Sequence, residues 1–130
     1  MLSSLVNRLI YCLLGPPYGL FSALKQHENF GKGRIVLYGV NNIATRLSNM
    51  LENESIEVLY SDLRATKEPF EFRDKQVFKP NELTRVLKDD DILVLCPLKY
   101  RFKILHTLLN EFDVKPSNTI VIPEYLKCES

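Results

Sequence analysis

Apolar residues recur along this chain in two different rhythms, and the change of rhythm divides it. In the first stretch Leu2, Leu5, Val6, Leu9, Ile10, Leu13 and Leu14 fall at spacings of three and four, so they line one face of a helix. Gly15-Pro16-Pro17 ends that helix, because proline cannot supply the amide the next turn requires. A second short helical stretch over residues 20–24 precedes a Gly31-Lys32-Gly33 linker. From there on short apolar runs alternate with amphipathic segments. Ile35–Tyr38 reads as a strand buried on both faces, stopped by Gly39. The helix after it buries Ile43, Ala44, Leu47, Met50 and Leu51, with Asn41 or Asn42 available as its cap. Residues 56–61 form a second strand ending at Asp62, and residues 63–75 read as a long polar loop carrying Phe70 and Phe72. Residues 76–78 are a very short third strand. Pro80 then opens a helix with Leu83, Val86 and Leu87. Residues 91–96 are a strongly apolar fourth strand stopped by Pro97. A helix burying Phe102, Leu105, Leu108, Leu109 and Phe112 follows, and residues 119–122 close the pattern as a fifth strand.

Strands alternating with helices at this pitch predict an α/β fold with a doubly wound, mainly parallel sheet and right-handed crossovers. The expected arrangement is a five-stranded Rossmann-like sheet of order 3-2-1-4-5 over residues 31–130, with residues 1–30 as an N-terminal helical leader. Ligands of such sheets bind outside the carboxyl ends of the strands where the order reverses, here between the strand ending at Tyr38 and the one ending at Cys96.

Composition narrows the classes. The chain has 130 residues, enough for one domain with a core. Its 17 Lys+Arg against 16 Asp+Glu leave no broad basic surface, so nucleic acid is not an expected partner. Cys12, Cys96 and Cys128 stand at unrelated spacings with no C-x-x-C pair. No disulfide framework is expected, and a reducing cytoplasm is the expected location. Arg8 sits inside the leader's apolar stretch, that stretch is short and no cleavage site follows it, so it does not read as a signal peptide. Its polar face has too little Lys and Arg to favour an anionic lipid surface. The leader is instead expected to bury its Leu2, Leu5, Leu9 and Leu13 face against its own domain, a second copy in a homodimer, or a partner protein.

The candidate chemistry clusters at the strand reversal. The segment RIVLYGVNNIATRL has the strand–turn–helix layout of a dinucleotide-binding unit, but only the first glycine of G-x-G-x-x-G, Gly39, is present. The second falls on Asn41, whose side chain enters the path of a pyrophosphate although its amide could donate to one; the third falls on Ala44, a mild change. Asn42 completes the turn. Asp62 stands 23 residues beyond Gly39 at a strand end, where a carboxylate would bind a ribose diol. Arg64 could hold a 2′-phosphate or another anion. Lys99, Arg101 and Lys103 gather at a helix start, where cations oppose the macrodipole unless an anion lies nearby. Tyr100 could stack on a base, and Cys96 could turn its thiol to the crevice. Each has a plainer structural reading: a turn, a solvated strand end, a basic helix face, and a packed thiol with no histidine near it in sequence. No metal-ligand spacing and no catalytic acid–base pair occurs.

Over residues 34–125 the blocks "RIVLYGVNNIATRL", "IEVLYSD", "VFKPNEL", "DDDILVLCP" and "NTIVIPE" resemble the compact Rossmann-like domains of sugar O-acyltransferases and of polysaccharide-biosynthesis and sugar methyltransferase proteins. That resemblance implies a nucleotide- or nucleotide-sugar-binding module, accessory or regulatory in sugar and polysaccharide metabolism. The ligand is left open; Asp62 rather than the resemblance favours NAD or another adenine nucleotide with an unphosphorylated ribose. Two other readings remain: a small transferase or oxidoreductase whose site is completed by a partner subunit, and an interaction protein with an empty, degenerate nucleotide pocket.

Overall fold

The computed structural model describes residues 2–123. Helices α1 (Leu2–Leu14) and α2 (Pro16–Gln26) lead into an α/β unit with strands β1 (Ile35–Tyr38), β2 (Val58–Ser61), β3 (Glu71–Phe72), β4 (Lys75–Phe78), β5 (Ile92–Leu95) and β6 (Thr119–Val121). Helices α3 (Asn42–Asn53), α4 (Leu83–Val86) and α5 (Arg101–Glu111) connect them, with single 3-10 turns at Leu63–Thr66, Pro80–Glu82 and Pro116–Asn118. The sheet order is β3-β4-β2-β1-β5-β6. All pairings are parallel except that of β3 with β4.

This six-stranded order departs from the expected five-stranded one. The difference is β3, an antiparallel edge strand lying within residues 63–75, which the sequence presents as loop. Phe72 and Lys75 are joined through Arg73 and Asp74, both at positive φ (53° and 65°), the backbone of a two-residue hairpin turn of the primed type. The hairpin is held by Val77 N donating to Phe70 O and by an edge-to-face contact of Phe72 on Tyr60, centroids 4.9 Å apart.

The two most apolar runs, β1 and β5, lie side by side at the centre in parallel, with Ile35 opposite Ile92 and Tyr38 opposite Leu95. Every residue of both is buried, because helices cover both faces. Ile35 and Leu37 point to one face, into a core with Leu20, Leu24, Leu47 and Leu51 of α2 and α3. Val36 and Tyr38 point to the other, with Leu83 of α4 and Leu108 of α5.

At the amino-terminal edge a partly buried ion pair clips β1 to β5. Asp91 accepts from the Arg34 amide (2.9 Å), its Nε (3.3 Å) and Nη2 (2.6 Å), and from the Lys88 amide (2.8 Å), while Arg34 Nη2 also donates to Val86 O.

The leader packs differently from the expectation. Helix α1 lies on α2 through Tyr11, whose ring presses so closely on Gly19 that a Cβ there would stand 2.3 Å from it. Asn7 joins Ser22 and Gln26 in a small hydrogen-bond network. The apolar stripe faces outward: Leu5, Leu9 and Leu13 are 53%, 51% and 78% exposed. Burial of this face on the chain's own domain is therefore corrected, because Asn7 and Tyr11 supply the contact instead. The side chain of Leu2 lies outside the described residues. Cys12 on α1 is disulfide-bonded and Cys96 is free. The expectation of a chain without disulfides does not hold, and the argument for a reducing compartment falls with it; Cys128 lies outside the described residues. No helix among the described residues is long and apolar enough to cross a membrane.

Candidate functional site

The predicted site residues sit at the carboxyl ends of the central strands, but several bind the protein itself. Gly39 takes φ +93°, a conformation disfavoured for L side chains, and packs against the Pro97 ring, which a Cβ would meet at 2.7 Å. Asn41 caps α3 by accepting from the Ala44 amide (2.9 Å), and its Nδ2 donates to Cys96 O at 3.3 Å. These contacts join the β1–α3 turn to the end of β5. Asn42 is exposed in the first turn of α3, where its amide and that of Ile43 have no intrahelical partner.

Asp62, at the end of β2, folds back on that turn. Its Oδ2 accepts from the Val40 amide (2.9 Å), its Oδ1 from the Arg64 amide (2.8 Å), and the Arg64 guanidinium spans both oxygens at 2.9–3.0 Å. Arg64 Nη2 also reaches Val40 O (2.8 Å), and the guanidinium lies over the Phe70 ring. Burial pushes the Asp62 carboxyl up, but the hydrogen bonds from Arg64 and Val40 outweigh it and hold its pKa below the usual carboxylate value. The Asp62 side chain is 10% exposed and that of Arg64 is 66% exposed, so the carboxylate is buried beneath a guanidinium that reaches water.

Two expected ligand contacts are corrected. Arg101 is not a free cation at the start of α5: its Nε donates to Ile122 O (2.5 Å), Nη1 to Leu98 O (2.6 Å) and Nη2 to Pro123 O (3.1 Å). It fastens the exit of β6. The Cys96 thiol does not face the crevice. It is fully buried in the core on the α2–α3 face, where burial pushes its pKa up to about 12, far from a thiolate at neutral pH. Lys99, Tyr100 and Lys103 are exposed. Tyr100 stands at the N-cap of α5 with φ +61° and gives no side-chain cap, which leaves the first-turn amides of that helix open.

The sequence did not single out the cleft that adjoins these residues. It has a volume of about 270 Å³ and is lined by Tyr38 at the end of β1, Leu63 beyond β2, Pro80 beyond β4, Ile104 and Thr107 of α5 and Phe112 just past it, with Lys103 and Glu111 also on its wall. Three strand ends and one helix face make its wall mainly apolar. Leu63 follows Asp62 directly and is 65% exposed. Burial, helped by the charge of Asp62, pushes the Tyr38 hydroxyl up to about 12, which places that carboxylate within electrostatic reach of the cleft floor. The available sequence signal was positional: an apolar residue just past a strand-end acid, and Ile104 and Thr107 three apart on one helix face. A second cleft, of about 210 Å³, opens at the opposite edge of the sheet among Thr84, Asp89, Asp91, Lys115 and Asn118. The Arg34–Asp91 clip and the Lys115–Asp89 pair already engage two of the three carboxylates on its wall, the third being Asp113. Among the described residues no cluster of His, Cys, Asp and Glu is arranged to hold a metal ion. No protein-family model, curated protein or solved structure matches this chain.

Proposed function

We propose that this chain is an adenine-nucleotide-binding module on a Rossmann-like scaffold, binding rather than catalysing, and accessory to a separate enzyme of sugar or polysaccharide metabolism. The observation that supports it is the apolar cleft outside the carboxyl ends of β1, β2 and β4, whose wall includes Leu63, the residue after Asp62, and Tyr38, which feels the Asp62 charge. A purine offers large apolar faces to such walls, and the Tyr38 and Thr107 hydroxyls supply polar contacts for its edge. The volume lies just below the range of drug-sized pockets, which suits one ring system. We read Asp62 as the ribose partner from its spacing of 23 residues beyond Gly39. Its oxygens accept from the Val40 and Arg64 amides and from the Arg64 guanidinium, so a ribose diol reaches them by displacing the guanidinium. The assignment to sugar metabolism rests on the sequence resemblance alone.

Thermal unfolding of the full chain with adenosine, adenosine 5′-monophosphate, uridine and a UDP-sugar tests this reading. The adenine compounds should stabilise by about 2.7 kcal/mol at a hundred times the dissociation constant, a shift of roughly 10 °C for a domain of this size. A larger shift with the uridine compounds would reverse the choice of base.

The exposed Leu5, Leu9 and Leu13 stripe favours a second reading, an interaction protein that works through α1. On that reading none of the nucleosides shifts the transition.

A further inference from the structure

We propose that the outward face of α1 is the interface of a homodimer, in which two copies of this chain pack their α1 helices antiparallel about a two-fold axis near Leu9. Helix α1 sits inside out. Its Asn7 is bonded to Ser22 and Gln26 of α2, and its Tyr11 closes on Gly19. Its leucines point the other way: Leu5, Leu9 and Leu13 are all more than half exposed. The polar side is therefore used up on the chain's own α2, and the apolar side is held out to water on a docked helix. No charge falls on the Leu5, Leu9, Leu13 row, so the surface that covers it is apolar as well.

The spacing of that row and its area point to a second copy as the occupant. Leu5, Leu9 and Leu13 make one ridge of residues four apart, and Val6, Ile10 and Leu14 make the ridge beside it. Ridges of this kind lie in the matching grooves of another helix, the two axes crossing at about 50°. Leu5 and Leu13 stand four residues to either side of Leu9. A two-fold axis at Leu9 therefore sets Leu5 of one copy against Leu13 of the other, at both ends of the contact. One patch serves both partners, which is the condition for a two-fold interface. Leu5, Val6, Leu9, Leu13 and Leu14 are 40–78% exposed and present on the order of 500 Å² per copy. Two such patches reach the roughly 1,000 Å² at which specific interfaces begin, so the dimer should be a reversible one.

Sedimentation of the full chain tests the interface. The parent should pass from 15.1 kDa to twice that mass as its concentration rises from about 1 µM to several hundred µM. Leu9→Glu should stay at the monomer mass throughout and melt within a few degrees of the dilute parent, because Leu9 is half exposed and outside the core. Engineered cysteines test the arrangement, read by mass spectrometry of the linked peptides after mild oxidation. Leu9→Cys should join to itself across the axis. Leu5→Cys alone should not, since its two copies stand about 12 Å apart along the helices, beyond the reach of a disulfide. A mixture of Leu5→Cys and Leu13→Cys should join. A parent that stays monomeric at several hundred µM overturns the proposal, and so does a dimer that Leu9→Glu leaves intact. Self-linking of Leu5→Cys overturns the antiparallel arrangement. Flotation of a monomeric parent with phosphatidylcholine liposomes, lost in Leu9→Glu, gives the face to lipid instead. None of these outcomes bears on the nucleotide reading.

Discussion

Replacing Asp91 with alanine should lower the melting temperature by roughly 10 °C, the largest stability effect expected of any single polar change in this chain. The side chain is 2% exposed and accepts four hydrogen bonds, from the Arg34 amide, Nε and Nη2 and from the Lys88 amide. Removing one member of such a pair costs about 3–5 kcal/mol, because the partner and the two amides lose their acceptor. Arg34 is 22% exposed and reaches water in part, which sets the expected loss near 3 kcal/mol on that scale. The same pair makes stability depend on acid. Burial raises the Asp91 pKa, but the bonds from Arg34 and Lys88 outweigh it, so the folded value lies below the unfolded one of about 3.9. Its contribution is fully present above the unfolded pKa and is lost as pH falls through the folded value. Unfolding followed from pH 7 to pH 2 should therefore show a steep acid limb in the parent chain and a shallower one in Asp91→Ala. Equal limbs would mean that the clip adds nothing.

Filling the cleft should abolish binding without unfolding the chain. Thr107 lies half-buried on α5 with its side chain on the cleft wall, so Thr107→Trp places an indole where the purine is proposed to lie. We expect the affinity for adenosine 5′-monophosphate to fall at least a hundredfold. That corresponds to a loss of about 2.7 kcal/mol, which displacement of one base from an apolar wall readily accounts for. The melting temperature should stay within a few degrees, because the cleft is open to water and the substitution meets no closed core. Thr107→Ala, which leaves the space free, should bind within a few-fold of the parent. A tryptophan variant that still binds would place the ligand elsewhere.

Much of the fold could be read from residue order, and the misses have identifiable physical causes. The fully apolar runs of β1 and β5 announce strands covered on both sides, and they lie adjacent and parallel as their pattern requires. Strand β3 was illegible because it has two residues and its turn, Arg73-Asp74, lacks the glycine that usually marks positive φ. The outward stripe of α1 misled for another reason. Periodicity tells which residues share a face, but not which face packs, and Tyr11 closing on Gly19 is a contact between two helices that no periodicity reports.

At the site, Gly39 and Asp62 stand where their spacing predicted, because both are tied to strand ends. Arg101 looked like a free cation because its acceptors Ile122 and Pro123 lie more than twenty residues away in sequence. The cleft residues Tyr38, Leu63, Pro80 and Ile104 are each unremarkable alone and meet only through the sheet order.

The central claim, that an adenine base occupies the cleft lined by Tyr38 and Leu63, is tested most directly by backbone amide NMR of the full chain titrated with adenosine 5′-monophosphate. Saturable shifts concentrated at Tyr38, Val40, Leu63, Arg64, Ile104 and Thr107 are the predicted result. Shifts centred instead on Thr84, Asp89, Lys115 and Asn118 at the opposite edge of the sheet, or no saturable shifts at all, would contradict it.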